Sequence, residues 1–396
     1  MITFRRQWSL SLPAGMLLAV ALLFGVNPAA AGAPEDEDDV AGHVYVLNNN
    51  LAGSNSITTF ARAANGVLTE IGVTDIGGTG SLAAFADGTQ GSLIRTPNGR
   101  RLFAADLGSD EISVVDVHDG RLSLVGVFKS GGAGPVSLTY DAGLLYVLNA
   151  ANASPSAANV TGFRVDDKGA LHAIPGSTRP LSGPHPNPAQ VQLDPQHRFL
   201  VVTEKSTGQI DIYKVAPDGS LSGPTVMPSV GAYPFGMALG ARQELVVADA
   251  GTPPTFIGAA TAYRLMDGQL TPINGPVPDH QIAPCWMVIT NNSRFAYTSN
   301  ADSHAISGYR IHEDGTISLL DADGVTGSTP ADTFPLEEGL SRNSRFLYVL
   351  DSRLLLPTPG AATISGFRVH ADGHLTPVVD ESTITLPFSA IGLASD

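Results

Sequence analysis

The chain has 396 residues, a single cysteine and a formal net charge of −15 at pH 7, with 37 acidic residues against 22 lysines and arginines. An acidic surface of this kind repels nucleic acid and anionic membranes, and one cysteine, Cys285, excludes an internal disulfide. With 43 Gly, 28 Pro and little patterning at the helical period, the composition calls for short strands joined by turns.

The first segment reads as a targeting signal. Arg5 and Arg6 precede an apolar run over 15–26, and Pro28-Ala29-Ala30-Ala31 offers small residues for cleavage. Residues 1–31 are therefore expected to be a signal peptide, which places the mature protein in a periplasm or outside the cell. Arg5-Arg6-Gln7-Trp8 also faintly resembles a twin-arginine signal. The run is too short and wrongly flanked for a membrane span. Residues 32–42, with Glu35-Asp36-Glu37-Asp38-Asp39, read as an acidic disordered mature N-terminus, a solvated charge run without the shaped loop a calcium site needs. Loss of Arg5 and Arg6 takes the net charge to about −17.

From residue 43 onward one unit recurs seven times. Its central apolar strand reads HVYVLNN from His43, RLFAADL from Arg101, LLYVLNA from Leu144, RFLVVTE from Arg198, ELVVADA from Glu244, RFAYTSN from Arg294 and RFLYVLD from Arg345. The spacing of roughly 43–58 residues is that of a four-stranded propeller blade. Each copy continues through an alternating strand into an X-Gly pair: Asn65-Gly66, Asp119-Gly120, Lys168-Gly169, Asp218-Gly219, Asp267-Gly268, Asp314-Gly315 and Asp372-Gly373. Such pairs between alternating runs predict two-residue hairpins of type I′, with positive φ at both central residues.

A further apolar segment precedes most central strands: SLIRTPNG, PVSLTYDAG, PAQVQLDPQH, PFGMALGAR and PCWMVITNN. These are assigned as innermost strands around a central channel. The residues at 388–396, FSAIGLASD, read as one more inner strand, whereas the copy at His43 lacks one. The expected fold is all-β: a seven-bladed propeller of four-stranded antiparallel blades over residues 43–396, its ring closed by pairing the N- and C-terminal segments in one blade. A closed ring needs no partner for its edges, so a monomer is expected.

No zinc, haem, phosphate-loop or nucleophile-elbow motif occurs, and Gly77-Gly78-Thr79-Gly80 opens no helix, so no cofactor or metal is expected. Cys285 falls on an inner strand and reads as a small buried apolar residue. If inner strands start at an upper face, most histidines fall below, and His185, His280 and His304 remain above with Lys129, Arg179, Lys205 and Arg353. The segment 179–205, RPLSGPHPNPAQVQLDPQHRFLVVTEK, carries the most chemistry. It delivers Arg179 and His185 from one top loop, Gln190 at the strand entrance, and Glu204 with Lys205 at the next top loop. A near-neutral base, a carboxylate to orient it and a cation for an oxyanion are what lactone opening or closing needs.

The repeat style, with LYVLN, ISGFRV followed by DG, and DP before RFL, resembles the seven-bladed lactonase family that includes propeller-type 6-phosphogluconolactonases and 3-carboxymuconate cyclases, in an exported bacterial branch. The likeness spans residues 43–396. It implies a small-molecule lactone or carboxylic acid as substrate, a histidine at the inner-strand entrance before the Asp-Pro turn, and an acidic residue after the second strand. Glu204 fits the acidic slot, while Ala189 and Gln190 stand where that histidine is expected. The reading is an exported lactonase-like propeller that hydrolyses or forms the lactone ring of a sugar- or muconate-type acid. Glu204 and His185 would act as acid and base, and Arg179 or Lys205 would hold the carbonyl oxygen. The alternative is a non-catalytic propeller that binds a cell-envelope protein or carbohydrate through exposed aromatics, with Tyr233, Phe235, Trp286 and Phe334 as candidates.

Overall fold

The computed structural model describes residues 40–83, 88–151, 158–354, 359–380 and 383–396. The expected signal peptide and the acidic run lie outside these residues. Among the described residues no helix is long and apolar enough to cross a membrane.

Seven antiparallel sheets form the blades of a propeller. Blade 1 contains Val40–Asn48, Ser54–Ala63 and Leu68–Thr79, and Ala390–Ser395 supplies its inner strand. Blade 2 runs Leu93–Arg95, Arg101–Asp106, Glu111–His118, Arg121–Lys129, and blade 3 Pro135–Asp141, Leu144–Asn149, Asn159–Val165, Leu171–Ala173. Blade 4 is Pro188–Leu193, Phe199–Glu204, Gln209–Val215, Leu221–Pro228, and blade 5 is Pro234–Leu239, Glu244–Asp249, Ile257–Met266, Gln269–Ile282. Blade 6 contains Val288–Ile289, Phe295–Asn300, Ala305–Ile311 and Ile317–Leu319; blade 7 contains Phe334–Leu340, Phe346–Ser352, Thr363–Val369 and Leu375–Pro377. The first strand begins at Val40, three residues ahead of the expected start.

Ring closure follows the expected register. Val44 pairs with Ser395, Val46 with Leu393 and Asn48 with Ala390. Apolar side chains of each blade pack against its neighbours, so Tyr45, Tyr146, Tyr297 and Tyr348, at one repeat position, are all fully buried. In three of these copies the hydroxyl donates to a hairpin glycine carbonyl in the next blade: Tyr146 to Gly219 at 2.9 Å, Tyr297 to Gly373 at 2.7 Å and Tyr348 to Gly66 at 2.8 Å. These bonds latch consecutive blades together.

The hairpins correct the expected turn type. Only Asp119-Gly120 and Asp267-Gly268 have positive φ at both positions. At Gly66, Gly169, Gly219, Gly315 and Gly373 the glycine alone is left-handed, and its amide bonds the carbonyl three residues back, as in Gly169 to Asp166 at 2.9 Å. These are three-residue loops closed by a left-handed glycine. The aspartate or asparagine before four of these glycines caps the turn by accepting the amide two residues on, as Asp218 does from Ser220 at 3.0 Å.

Candidate active site

The last residue of each second strand, or in blade 7 the one before it, is polar and buried: Asn48, Asp106, Asn149, Glu204, Asp249, Asn300 and Asp351. In most blades it bonds a hydroxyl of the third strand, for example Ser113 to Asp106 at 2.7 Å, Thr261 to Asp249 at 2.5 Å and Ser365 to Asp351 at 2.6 Å. A buried polar group without such a partner would cost about 1–3 kcal/mol. The position is thus a tie between two strands, repeated around the ring.

Blade 4 departs from that pattern. Glu204 meets Asp211 where other blades place a hydroxyl, and both carboxyls are fully buried. Burial first, and then the charge of Glu204, push Asp211 up to about 8, so the pair holds a proton at neutral pH. The Glu204 oxygens accept from the Ser182 amide at 2.9 Å, the Ser182 hydroxyl at 2.5 Å and the Thr207 hydroxyl at 2.5 Å. The proline-rich loop therefore folds back onto Glu204 and delivers Ser182 to it. His185 is exposed on that loop, with left-handed backbone at φ 57°.

The five candidate residues divide accordingly. Arg179 lies on an outer strand of blade 3, where Val160 pairs with it and its Nε donates to the Leu221 carbonyl at 2.8 Å. It ties blade 3 to blade 4 away from the channel. Gln190 and Lys205 stand at the channel head. The Gln190 side chain accepts from the Met237 amide at 2.6 Å, joining the inner strands of blades 4 and 5. The Lys205 ammonium is buried 4.5 Å above the Phe235 ring and 3.4 Å from the Pro188 carbonyl.

Phe235 packs on Trp286 with ring centroids 5.5 Å apart, and Tyr233 and Phe334 complete a floor that also includes Cys285. Phe235 and Trp286 are buried, so these two are channel packing. Cys285 donates to the Ala283 carbonyl at 3.1 Å, and burial pushes its thiol up to about 12, which leaves it inert as a nucleophile. On the rim, His304 shares a hydrogen bond of 2.5 Å between Nδ1 and the Thr333 carbonyl, which keeps the proton on Nδ1.

Residues 88–91 pack beside this floor, with Gly88 close to both Phe235 and the Lys205 ammonium. A Cβ on Gly88 would lie 2.3 Å from Phe235, and Gln90 donates to the Met287 carbonyl at 2.8 Å, so the segment packs against blades 5 and 6. Gly91 then donates to both oxygens of Glu337, at 3.1 Å each. Glu337 comes from the inner strand of blade 7, which the sequence reading passed over. Burial holds its carboxyl well above the usual range, opposed by the Gly91 amide and the Trp286 indole.

Glu338 beside it is raised as well, by burial and by the charge of Glu337. It occupies the repeat position that is Leu93, Leu138, Val191, Met237, Met287 and Leu393 in the other blades. Glu337, Glu338, Gln90, Gln190 and Gln192 line a cavity of about 480 Å³ that runs down the channel to Arg95 and Ser395. That volume is within the range of small-molecule sites, ~300–1,000 Å³. Among the described residues no group of three or more potential ligands could hold a metal.

A closed seven-bladed propeller with buried carboxyls at the head of its channel is the class that fold and site define. Residues 91–251 match the family model described as Lactonase, 7-bladed beta-propeller. Two solved structures share the fold over most of both chains. A candidate 6-phosphogluconolactonase of Bacteroides fragilis is 17% identical, covering 92% of this chain and 99% of that one with a TM-score of 0.66. The periplasmic gluconolactonase PpgL of Pseudomonas aeruginosa is 14% identical, covering 89% and 99% with a TM-score of 0.64. A hypothetical selenium-binding protein of Sulfolobus tokodaii, 11% identical with a TM-score of 0.63, covers 92% and 94%, so at these identities the likeness speaks for fold alone. No curated protein matches the chain.

Proposed function

We propose that the protein hydrolyses, or in reverse forms, the lactone ring of a sugar- or muconate-type acid at the head of the channel, with Glu337 as the general acid and base. The observation that carries this reading is the Glu337 carboxyl itself, raised by burial and lining a cavity of about 480 Å³ beside Gln90 and Gln190. Burial raises the proton affinity of this carboxyl, and a carboxyl so placed can take a proton in one step and return it in the next.

In the hydrolytic direction Glu337 takes a proton from water as its oxygen attacks the lactone carbonyl carbon. The tetrahedral oxyanion is held by polar groups at the channel head, with Lys205 supplying positive charge across the Phe235–Trp286 floor. Collapse breaks the ring C–O bond, and Glu337 returns the proton to the departing alkoxide, leaving a hydroxy acid. Glu204 is enclosed by three donors and Asp211, so its part is to hold the loop that carries His185 over the rim. Gln190 joins the inner strands of blades 4 and 5. Family resemblance and the matched family model support a lactone as substrate, and the segment 1–31 supports an exported enzyme.

The test is a panel of simple, sugar and muconate-derived lactones offered to the mature protein and to Lys205→Met. Turnover of at least one lactone is expected, lowered about 10²-fold in the variant, the scale of losing one oxyanion-stabilising group. No turnover across the panel would favour the non-catalytic propeller that binds an envelope partner.

A further inference from the structure

Six blades place a hydroxyl at one position of the third strand: Thr58, Ser113, Thr161, Thr261, Ser307 and Ser365. Each pairs with the residue two before the buried polar end of the second strand. Blade 4 carries Asp211 there instead, opposite Val202. Two carboxyls therefore meet inside one sheet, and neither is exposed. Glu204 turns its oxygens to the loop that leads into its own inner strand, accepting the Ser182 amide and hydroxyl, with Thr207 as a third donor. Tyr213 holds the start of the same loop, donating to the Pro180 carbonyl at 2.9 Å and to Asp211 at 3.2 Å. Beyond Ser182 the loop stands free: a Cβ on Gly183 would meet nothing within 4 Å, and Pro184 and His185 are exposed. It is held again where the Pro186 and Asn187 carbonyls accept the Ser206 and Lys205 amides at 3.2 and 3.1 Å.

We propose that loop 181–187 is a proton-operated flap, closed over the Glu204–Asp211 pair while the pair shares a proton and released when that proton leaves. Two charged carboxylates in contact and out of water repel each other, and one shared proton removes the repulsion. Lifting Ser182 away admits water to Glu204, so the open form tolerates both charges. Burial and the charge of Glu204 hold Asp211 at about 8 in the closed form, whereas a hydrated aspartate titrates near its ordinary value of about 4. The closed form thus keeps a proton that the open form gives up. Closure is strongest in acid, weakens as pH rises, and levels off above about pH 8. The groups facing Asp211 leave this balance to the pair: burial raises the Tyr213 phenol so that it stays neutral, and the outer strand presents Val226. The titratable group of the loop itself is His185, at the exposed tip. The flap also reaches the channel head, because Lys205 bonds Asn187 through its amide and lies 3.4 Å from the Pro188 carbonyl through its ammonium. The proposal does not depend on the lactone reading.

A nitroxide label on His185→Cys reads the flap directly, since Cys285 is buried and unreactive, and it removes the loop's own histidine as a cause. From about pH 5 to about pH 9 the mobile part of the spectrum should grow, the ratio of open to closed rising by up to roughly tenfold per pH unit and levelling near pH 8. Adding Asp211→Ser or Asp211→Thr, each the kind of residue the other blades carry, should leave a label whose mobility does not change with pH. A label on Ala241→Cys, in an exposed turn of blade 5, reports general loosening and should stay constant. A flat response in the protein that keeps Asp211, the same rise in a folded Asp211→Ser or Asp211→Thr protein, or an equal rise at Ala241→Cys would each overturn the proposal.

Discussion

Removal of residues 387–396 should abolish the cooperative folding transition. Ala390–Ser395 is the inner strand of blade 1, and without it Val40–Asn48 becomes an open edge along the channel. Ile391 and Leu393 are buried between blades, each worth about 1.5–3 kcal/mol. Asp396 adds a clasp: its side chain accepts from the His43 amide at 2.5 Å and pairs with Arg95 at 3.0 Å, while Arg62 holds its carbonyl at 3.1 Å. The strand bonds, the buried side chains and the clasp together match a large part of a typical margin of about 5–15 kcal/mol. Shortening the exposed loop at 51–53 should shift melting by only a few degrees. A native-like melting temperature for the truncated chain would refute closure by this strand.

The second large effect is on pH. Burial raises Asp279 to about 6, Asp106 to about 7, and Asp211 and Asp249 to about 8, and lifts Glu337 and Glu338 in the same direction. Between the unfolded value near 4 and these folded values, the native state holds protons that the unfolded chain has released. The stability linked to those protons is fully present below about pH 4 and is lost as pH rises through 6 to 8. Asp396, held low by His43 and Arg95, acts in the opposite sense and loses its contribution only as pH falls through the acid range. The melting temperature should therefore peak on the acid side of neutrality and fall by pH 9. Each tenfold difference in proton affinity between the folded and unfolded chain is worth about 1.4 kcal/mol, so the loss comes to several kcal/mol in total. Asp249→Asn keeps an acceptor for the Thr261 hydroxyl and should flatten part of the slope. A melting temperature that climbs from pH 5 to pH 9 would contradict this.

The repeat was legible because period-two strands and glycine turns are local signals, and because FSAIGLASD at the end of the sequence matched a strand missing at the start. The inner strand Phe334–Leu340 was not, since Glu337-Glu338 breaks the apolar run that marked its counterparts. That same break puts two carboxyls where neighbouring blades carry side chains such as Trp286 and Met287, which makes it the clearest signal the reading passed over. Asp211 in QIDIYKV was opaque for a different reason. Alternation assigns it to one face of a strand but does not say whether that face meets solvent or the next blade. The sequence puts Glu204 with Lys205 at a top loop, whereas it is the last residue of the strand Phe199–Glu204 and its partners Ser182 and Asp211 lie 22 and 7 residues away. The sequence places Arg179 in the upper funnel with the rest of the loop before blade 4; its pairing with Val160 makes it part of an outer strand instead.

Glu337 carries the proposed chemistry, and the most direct test is the pH profile of kcat/KM on whichever lactone turns over, for the mature protein and for Glu337→Gln. The expected result is a rise in rate through an apparent pKa well above the usual carboxylate range and a loss of about 10²-fold or more in the variant, with its melting temperature preserved. Undiminished turnover by a folded Glu337→Gln protein with an unchanged profile would contradict it.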